Sequence, residues 1–129
     1  MRQSAVIDII ERTAPLSLMA DWDHSGIQVA SPRKEIRCLA VCLDPTPVQT
    51  AAAINAGADM ILAHHPLSLH ARWTDGLNGY PDVLRLLYAQ DIPLYSCHTT
   101  LDANPLGPAS WLPDELGPTE RELLDKTGV

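Results

Sequence analysis

Three short apolar runs separated by segments of helical character constrain this chain more than any other feature. They are Ile36–Leu43 (IRCLAVCL), Met60–Ala63 (MILA) and Pro93–Cys97 (PLYSC). Runs of this length suit strands better than core helices. The near-continuous apolarity of Ile36–Leu43 predicts a strand buried on both faces, as parallel sheets require. Between the runs, Pro47–Ala56 carries a stripe of Val48, Ala51, Ala52 and Ile54, and Asp82–Gln90 places Val83, Leu86 and Leu87 on one side. Thr46 is suited to cap the first of these helices. Pro47 would be its first residue, where a missing N–H costs nothing, and Gly57 its left-handed stop. The order strand-helix-strand-helix-strand, with short links, predicts an α/β fold: a mostly parallel sheet flanked by helices, with right-handed crossovers. A length of 129 residues suits a single domain.

The flanks read less regularly. Ser4 is a candidate cap for a first helix with Val6, Ile9, Ile10 and Thr13 on one face, stopped near Pro15. A short helical turn is expected over Leu16–Ala20, a loop over Asp21–Gly26 (DWDHSG), and a short strand over Ile27–Ala30. Ser68–Tyr80 reads as a Gly-rich polar loop. Ala103–Pro118 holds four prolines and two glycines without a long apolar period, and Glu120–Lys126 suits one or two helical turns. Residues 1–105 are therefore expected to form the α/β domain, and residues 106–129 an acidic, proline-rich C-terminal extension.

Composition narrows the function classes. The chain is 46% hydrophobic and 19% charged, with aromatics at only 5% and no Phe, so its core must be aliphatic. A net charge of −7 argues against nucleic-acid binding, which needs Lys and Arg to neutralise phosphates. A bound cation or a protein partner remains compatible. The three cysteines, Cys38, Cys42 and Cys97, form no CxxC pair, so they read as buried free thiols suited to a reducing cytoplasm. The N-terminus leads into an amphipathic segment rather than an apolar signal, and no run of about 18 apolar residues exists to span a membrane. The sequence reading is thus cytoplasmic, with no nucleic-acid and no membrane partner.

In a parallel sheet, ligands bind beyond the carboxyl ends of the strands. Those ends here carry Asp44, His64-His65 and His98 with Asp102. Neutral imidazole is the commonest transition-metal ligand among side chains. Two adjacent histidines at a turning strand end can reach one cleft, and Asp102 adds a hard oxygen. Imidazole with carboxylate suits Zn, Mn, Fe or Ni better than Ca. His98 lies four residues before Asp102 and reads as a ligand, a partner orienting a ligand, or a general base. Asp44 either orients a histidine ring or caps the next helix. His24 and His70 read as structural, and Trp22 as a plug at the edge of the core. Phosphate-binding Gly-rich loops, a GxSxG elbow and an HExxH helix are absent. A Ser96–His98 nucleophile pair would have poor geometry on one extended segment.

Four motifs then carry a resemblance. They are Trp22-Asp23-His24-Ser25-Gly26-Ile27-Gln28-Val29 after Ala14-Pro15, Val41-Cys42-Leu43-Asp44-Pro45-Thr46, Gly57 to Leu67 (GADMILAHHPL), and Tyr95 to Asp102 (YSCHTTLD). In this order and spacing the chain resembles the YbgI-like family, the GTP cyclohydrolase I type 2 homologues, over about residues 1–105. The resemblance implies a dinuclear metal site with ligands at His64, His65 and Asp102, and a homo-oligomer, often a ring-shaped hexamer of dimers. It further implies a hydrolase acting on GTP or another phosphate- or amide-bearing small molecule. Family members are about twice this long. Their second half supplies a further His and a bridging Glu, four apart on a helix, whereas His98 is the last histidine here. His24 stands where the family commonly has Asn.

Three functions follow as expectations. The first is a divalent-metal-dependent hydrolase using His64, His65 and Asp102 as ligands and His98 as the catalytic proton carrier. The second is a non-catalytic, oligomeric binding or assembly module that keeps a partial metal site. The third uses His64 or His65 as a phosphoryl acceptor or acid–base group without metal.

Overall fold

A computed structural model describes residues 1–122. Among these, a four-stranded sheet has the order β1-β4-β3-β2, with β1 Gly26–Val29, β2 Leu39–Cys42, β3 Met60–Ala63 and β4 Leu94–Ser96. β2, β3 and β4 run parallel, as the alternation predicts, and β1 joins the β4 edge antiparallel. Helix α2, Pro47–Asn55, connects β2 to β3, and α3, Gly79–Ala89, connects β3 to β4. The fold is α/β, with a mixed sheet between helices.

Local chemistry explains the helix limits. The Thr46 side chain accepts a hydrogen bond from the Gln49 N–H, with Pro47 in the first turn of α2. Gly57 beyond its end takes φ +82°, a left-handed conformation that a side chain would strain. Asn78 caps α3 by accepting from the Tyr80 N–H, three residues earlier than the apolar period alone suggests. Helix α1, Gln3–Thr13, starts before the expected Ser4, with Arg2 as an N-cap that makes no side-chain bond. The main chain supplies the anchor instead: Gln3 N–H donates to Lys34 O at 2.9 Å and Ile36 N–H to Met1 O at 2.8 Å.

Two aliphatic clusters cover the two faces of the sheet. Ile61, Ala63 and Leu94 pack with Val83 and Leu87 of α3, joined by Ala53 and Ile54 of α2. On the other face, Met60, Tyr95 and Cys97 pack with Ile10 and Ala14. Ile9, expected inward, is exposed, while Ile7 is partly buried in its place.

Two expectations fail because β2 lies at the sheet edge, and a third fails in the helix that follows it. Ile36–Leu43 is not one strand buried on both faces. Its first part pairs with the N-terminus, and β2 begins only at Leu39. Ala40 and Cys42 face the α2–α3 side, whereas Leu39, Val41 and Leu43 are exposed, Val41 by 72%. Cys38 is exposed and Cys42 half-buried, so only Cys97 is the buried thiol that was expected. In α2 the inward face is Thr50, Ala53 and Ile54, and Val48 is 77% exposed.

The proline-rich segment also differs from expectation. The short helix α4, Thr99–Asp102, is followed by α5, Pro108–Leu116, which keeps Pro113 in its interior. Its Trp111, Leu112 and Leu116 are exposed. Glu120–Glu122 form no helical turn, and the rest of that expected element lies outside the described residues.

Asp59 ties the turn before β2 to the start of β3. It accepts from the N–H groups of Arg37 and Cys38 at 2.9 and 3.3 Å, and from Arg33 Nη1 at 2.7 Å. The Arg37 N–H bond outweighs partial desolvation and, with the Cys38 N–H and the Arg33 and Arg37 charges, holds its carboxyl below the usual carboxylate range. A lowered folded pKa stabilises the fold above the unfolded value of about 3.9 and is lost as pH falls below it. Urea unfolding from pH 6 to pH 2.5 is therefore expected to show a shallower acid limb for Asp59→Asn than for wild type. Leu87, fully buried, should cost about 2–5 kcal/mol on truncation to Ala in the same assay at pH 7.

Candidate metal centre

The parallel register aligns the ends of β2, β3 and β4. Cys42 pairs with Ala63, and Ala63 with Ser96, so the next residues of all three strands emerge side by side. Beyond β3 the main chain keeps its ladder for two more residues: His64 N–H donates to Cys42 O and His65 N–H to Leu43 O. The chain then bends, and the two rings lie 5.0 Å apart rather than on opposite faces. His98 follows β4 and precedes α4, with its ring 5.3 Å from that of His64 and 5.5 Å from that of His65. Each of the three histidines offers a ligand atom within 4.8 Å of the other two.

Every ring is held through Nδ1. His64 Nδ1 donates to the Cys97 carbonyl at 3.0 Å, and a carbonyl only accepts, so the hydrogen sits on Nδ1. His65 Nδ1 pairs with Asp44 Oδ1 at 2.7 Å, and His98 Nδ1 with Asp23 Oδ1 at 2.9 Å. Nε2 is thereby left as the free lone pair on each ring. This is the arrangement in which metal-binding histidines are oriented by a carbonyl or carboxylate behind them. Asp102, in the last position of α4, puts Oδ2 3.7 Å from His64 Nε2. Asp102 stands beside His64 but outside the group of three imidazoles that could hold an ion, and imidazole donors suit a borderline divalent ion. The thiols stand outside the histidine cluster; burial, then the charge of Asp102, pushes the Cys97 pKa up, and burial with Asp44 does the same for Cys42.

The two readings of Asp44 are now separable. It orients His65, while Thr46 caps α2. Ser96 is buried and donates its hydroxyl to His64 O at 2.8 Å, which removes it as a nucleophile paired with His98. Trp22 does not plug the core edge. It is 55% exposed, and its ring meets His98 edge-on at 5.8 Å. His24 and His70 stand outside the cluster, in the wall of a neighbouring cleft of about 370 Å³ that also includes Gln28, Ser68 and Tyr80.

The residue that the sequence reading passed over is Asp23. Its side chain is fully buried, and five donors converge on it. Oδ1 accepts from His24 N–H and His98 Nδ1, and Oδ2 from Ser25 Oγ, Thr99 N–H and Thr99 Oγ1. Burial alone would raise its pKa. The bonds from Thr99, Ser25, His98 and the His24 N–H outweigh that and hold it at about 2. An acid between Trp and His in a loop looks solvated in one dimension. The only sequence signal was its place within the DWDHSG motif.

Comparisons with known proteins agree with this architecture. The chain is 33% identical over 125 residues to a GTP cyclohydrolase 1 type 2 homolog of Halalkalibacterium halodurans, covering 95% of this chain and 33% of that protein. A Staphylococcus aureus protein of the same name is 30% identical over 117 residues, with 91% of this chain and 32% of that protein covered. The chain thus spans about a third of the length of the curated relatives it matches. Among solved structures, reduced HcgD from Methanocaldococcus jannaschii superposes with a TM-score of 0.93 at 29% identity, over 100% of this chain and 52% of that one. A Bacillus cereus protein related to NIF3 gives 0.85 at 28% identity, over 97% and 35%. Residues 1–129 match the family described as Duf34/NIF3 (NGG1p interacting factor 3), and the chain belongs to that family.

Proposed function

We propose that this chain binds a divalent metal ion of the Zn, Mn, Fe or Ni class through His64, His65 and Asp102 and serves a metal-dependent hydrolysis. The observation that carries this reading is the common orientation of the rings: Nδ1 is engaged behind each one, and Nε2 is free at one strand edge. The names of the relatives, GTP cyclohydrolase 1 type 2 homolog, support a hydrolytic role. A bound ion of this class would lower the pKa of a water molecule and polarise an acceptor oxygen. The Asp23 contact behind Nδ1 supports a role for His98 as a proton acceptor on Nε2. The adjacent cleft of about 370 Å³ is the expected seat of a small molecule bearing a phosphate or amide group. Assembly into a homo-oligomer is supported by the uncovered apolar residues Leu39, Val41, Leu43 and Val48.

A second reading of His98 is favoured by its distance. Its ligand atom lies within 4.8 Å of those of His64 and His65, which supports a role as a third imidazole ligand. Metal content separates the two roles. His98→Ala should keep the ion and lose turnover if His98 carries protons, and should lose both if it is a ligand.

Elemental analysis of protein purified without chelator, at its native oligomeric size, is expected to find at least one divalent ion per chain. His65→Ala should remove it. Absence of metal from wild type, even after incubation with Zn(II) or Mn(II), would sink the proposal. Removing Asp44 should act less directly. Asp44→Ala is expected to weaken Zn(II) binding by about 10- to 100-fold in a chelator competition, because His65 loses its orienting acceptor. Hydrolysis of GTP measured before and after EDTA treatment should fall with metal content and return on adding the ion back.

A further inference from the structure

The three rings are not held equally. His64 leans on a main-chain carbonyl and His65 on Asp44, a carboxylate that is half exposed and competes with water. His98 alone leans on a carboxylate with no solvent contact, and that carboxylate belongs to a different part of the chain. We infer that Asp23 is the positioning residue of the centre: it aims His98 Nε2 at His64 and His65, and it makes the 20–25 loop part of the metal site. The inference rests on the proposed metal site only for what His98 is aimed at.

Five hydrogen bonds join the 20–25 loop to His98 and Thr99, and a sixth, from Ser25 to Asp23, braces the loop internally. Ala20 N–H donates to Thr99 Oγ1 at 3.1 Å, and that hydroxyl donates on to Asp23 Oδ2 at 2.6 Å. Thr99 N–H and Ser25 Oγ reach the same oxygen at 3.2 and 2.7 Å. Ser25 Oγ accepts from His98 N–H at 3.0 Å, and Asp23 Oδ1 takes the ring hydrogen at 2.9 Å. Both the main chain and the ring of His98 are thus fixed from the same loop. His98 occupies a backbone conformation, φ −88° and ψ −107°, that lies outside the helical and extended regions. With Oδ2 filled by three donors and Oδ1 by two, the carboxylate has one consistent orientation. The His98 ring is therefore held in one tautomer, with hydrogen on Nδ1 and the lone pair on Nε2.

The test is the tautomer of each histidine, read by long-range ¹H–¹⁵N NMR on the metal-free full chain. Wild type should show hydrogen on Nδ1 of His98. Asp23→Ala should move it to Nε2 while His64, held by the Cys97 carbonyl, keeps its hydrogen on Nδ1. Asp44→Ala should change His65 alone. A purely structural role for Asp23 would leave the His98 tautomer unmoved in a folded variant, and that result overturns the inference. Should Asp23→Ala fail to fold, wild type still decides: hydrogen on Nε2 of His98 in the neutral ring contradicts positioning by Asp23. Adding Zn(II) then separates this inference from the proposed function. Shifts at Nε2 of His64 and His65 support the metal reading in wild type; where His98 is a ligand it joins them there but not in Asp23→Ala. If Zn(II) moves no imidazole in wild type, the metal reading falls, and the tautomer comparison continues to judge Asp23 by itself.

Discussion

Ala63 pairs with Cys42 on one side and with Ser96 on the other, and the layout of the centre follows from that register. Parallel strands end on the same edge of a sheet, so side chains far apart in sequence arrive together without a dedicated scaffold. His64 and His65 leave β3, His98 leaves β4, and Asp44 leaves β2 to meet the His65 ring, so all four arrive at one end of the sheet. An antiparallel arrangement of the same three strands would send His64-His65 and His98 to opposite ends. The two aliphatic clusters matter because they lock this register. Met60 and Tyr95 belong to one cluster and Ile61 and Leu94 to the other, so a slip of one residue would send each side chain into the wrong cluster.

Order at the centre decreases outward from that sheet. The carbonyl behind His64 belongs to Cys97, next to β4, and moves only if the ladder moves. Asp23 reaches His98 from a loop, yet with no solvent contact and five donors it is as fixed as a strand residue. Asp44 is half exposed and holds His65 through a single contact. Three histidines of one residue type therefore sit in three different dielectric settings. A carboxylate shielded from water polarises its imidazole more strongly than an exposed one.

Sequence reasoning went astray where an element's neighbours, rather than its own pattern, set burial. Ile36–Leu43 has the composition of a central strand, but β2 is at the edge, and Leu39, Val41 and Leu43 face outward on a side that the α1 cluster does not include. The α2 stripe was misplaced by the same blindness. With mostly small apolar residues all round, its periodicity does not mark a face, and Thr50 rather than Val48 turns inward. Helix α5 was hidden by its prolines. Pro108 sits in its first turn, where proline is tolerated, and Pro113 interrupts it without ending it.

The amino-acid sequence by itself determined the fold class and the address of the centre. Alternating apolar runs and capped helices require a parallel sheet, and a parallel sheet has only one edge at which His64, His65, His98 and Asp102 can meet. Only the tertiary structure decided how those groups are held. Which nitrogen of each ring faces the site depends on acceptors 21, 33 and 75 residues away in sequence, at Asp44, Cys97 and Asp23. No pattern along the chain records a hydrogen bond of that span. Periodicity reports which face of an element is apolar, whereas the tautomer of a histidine is set by the one atom that packing places behind it.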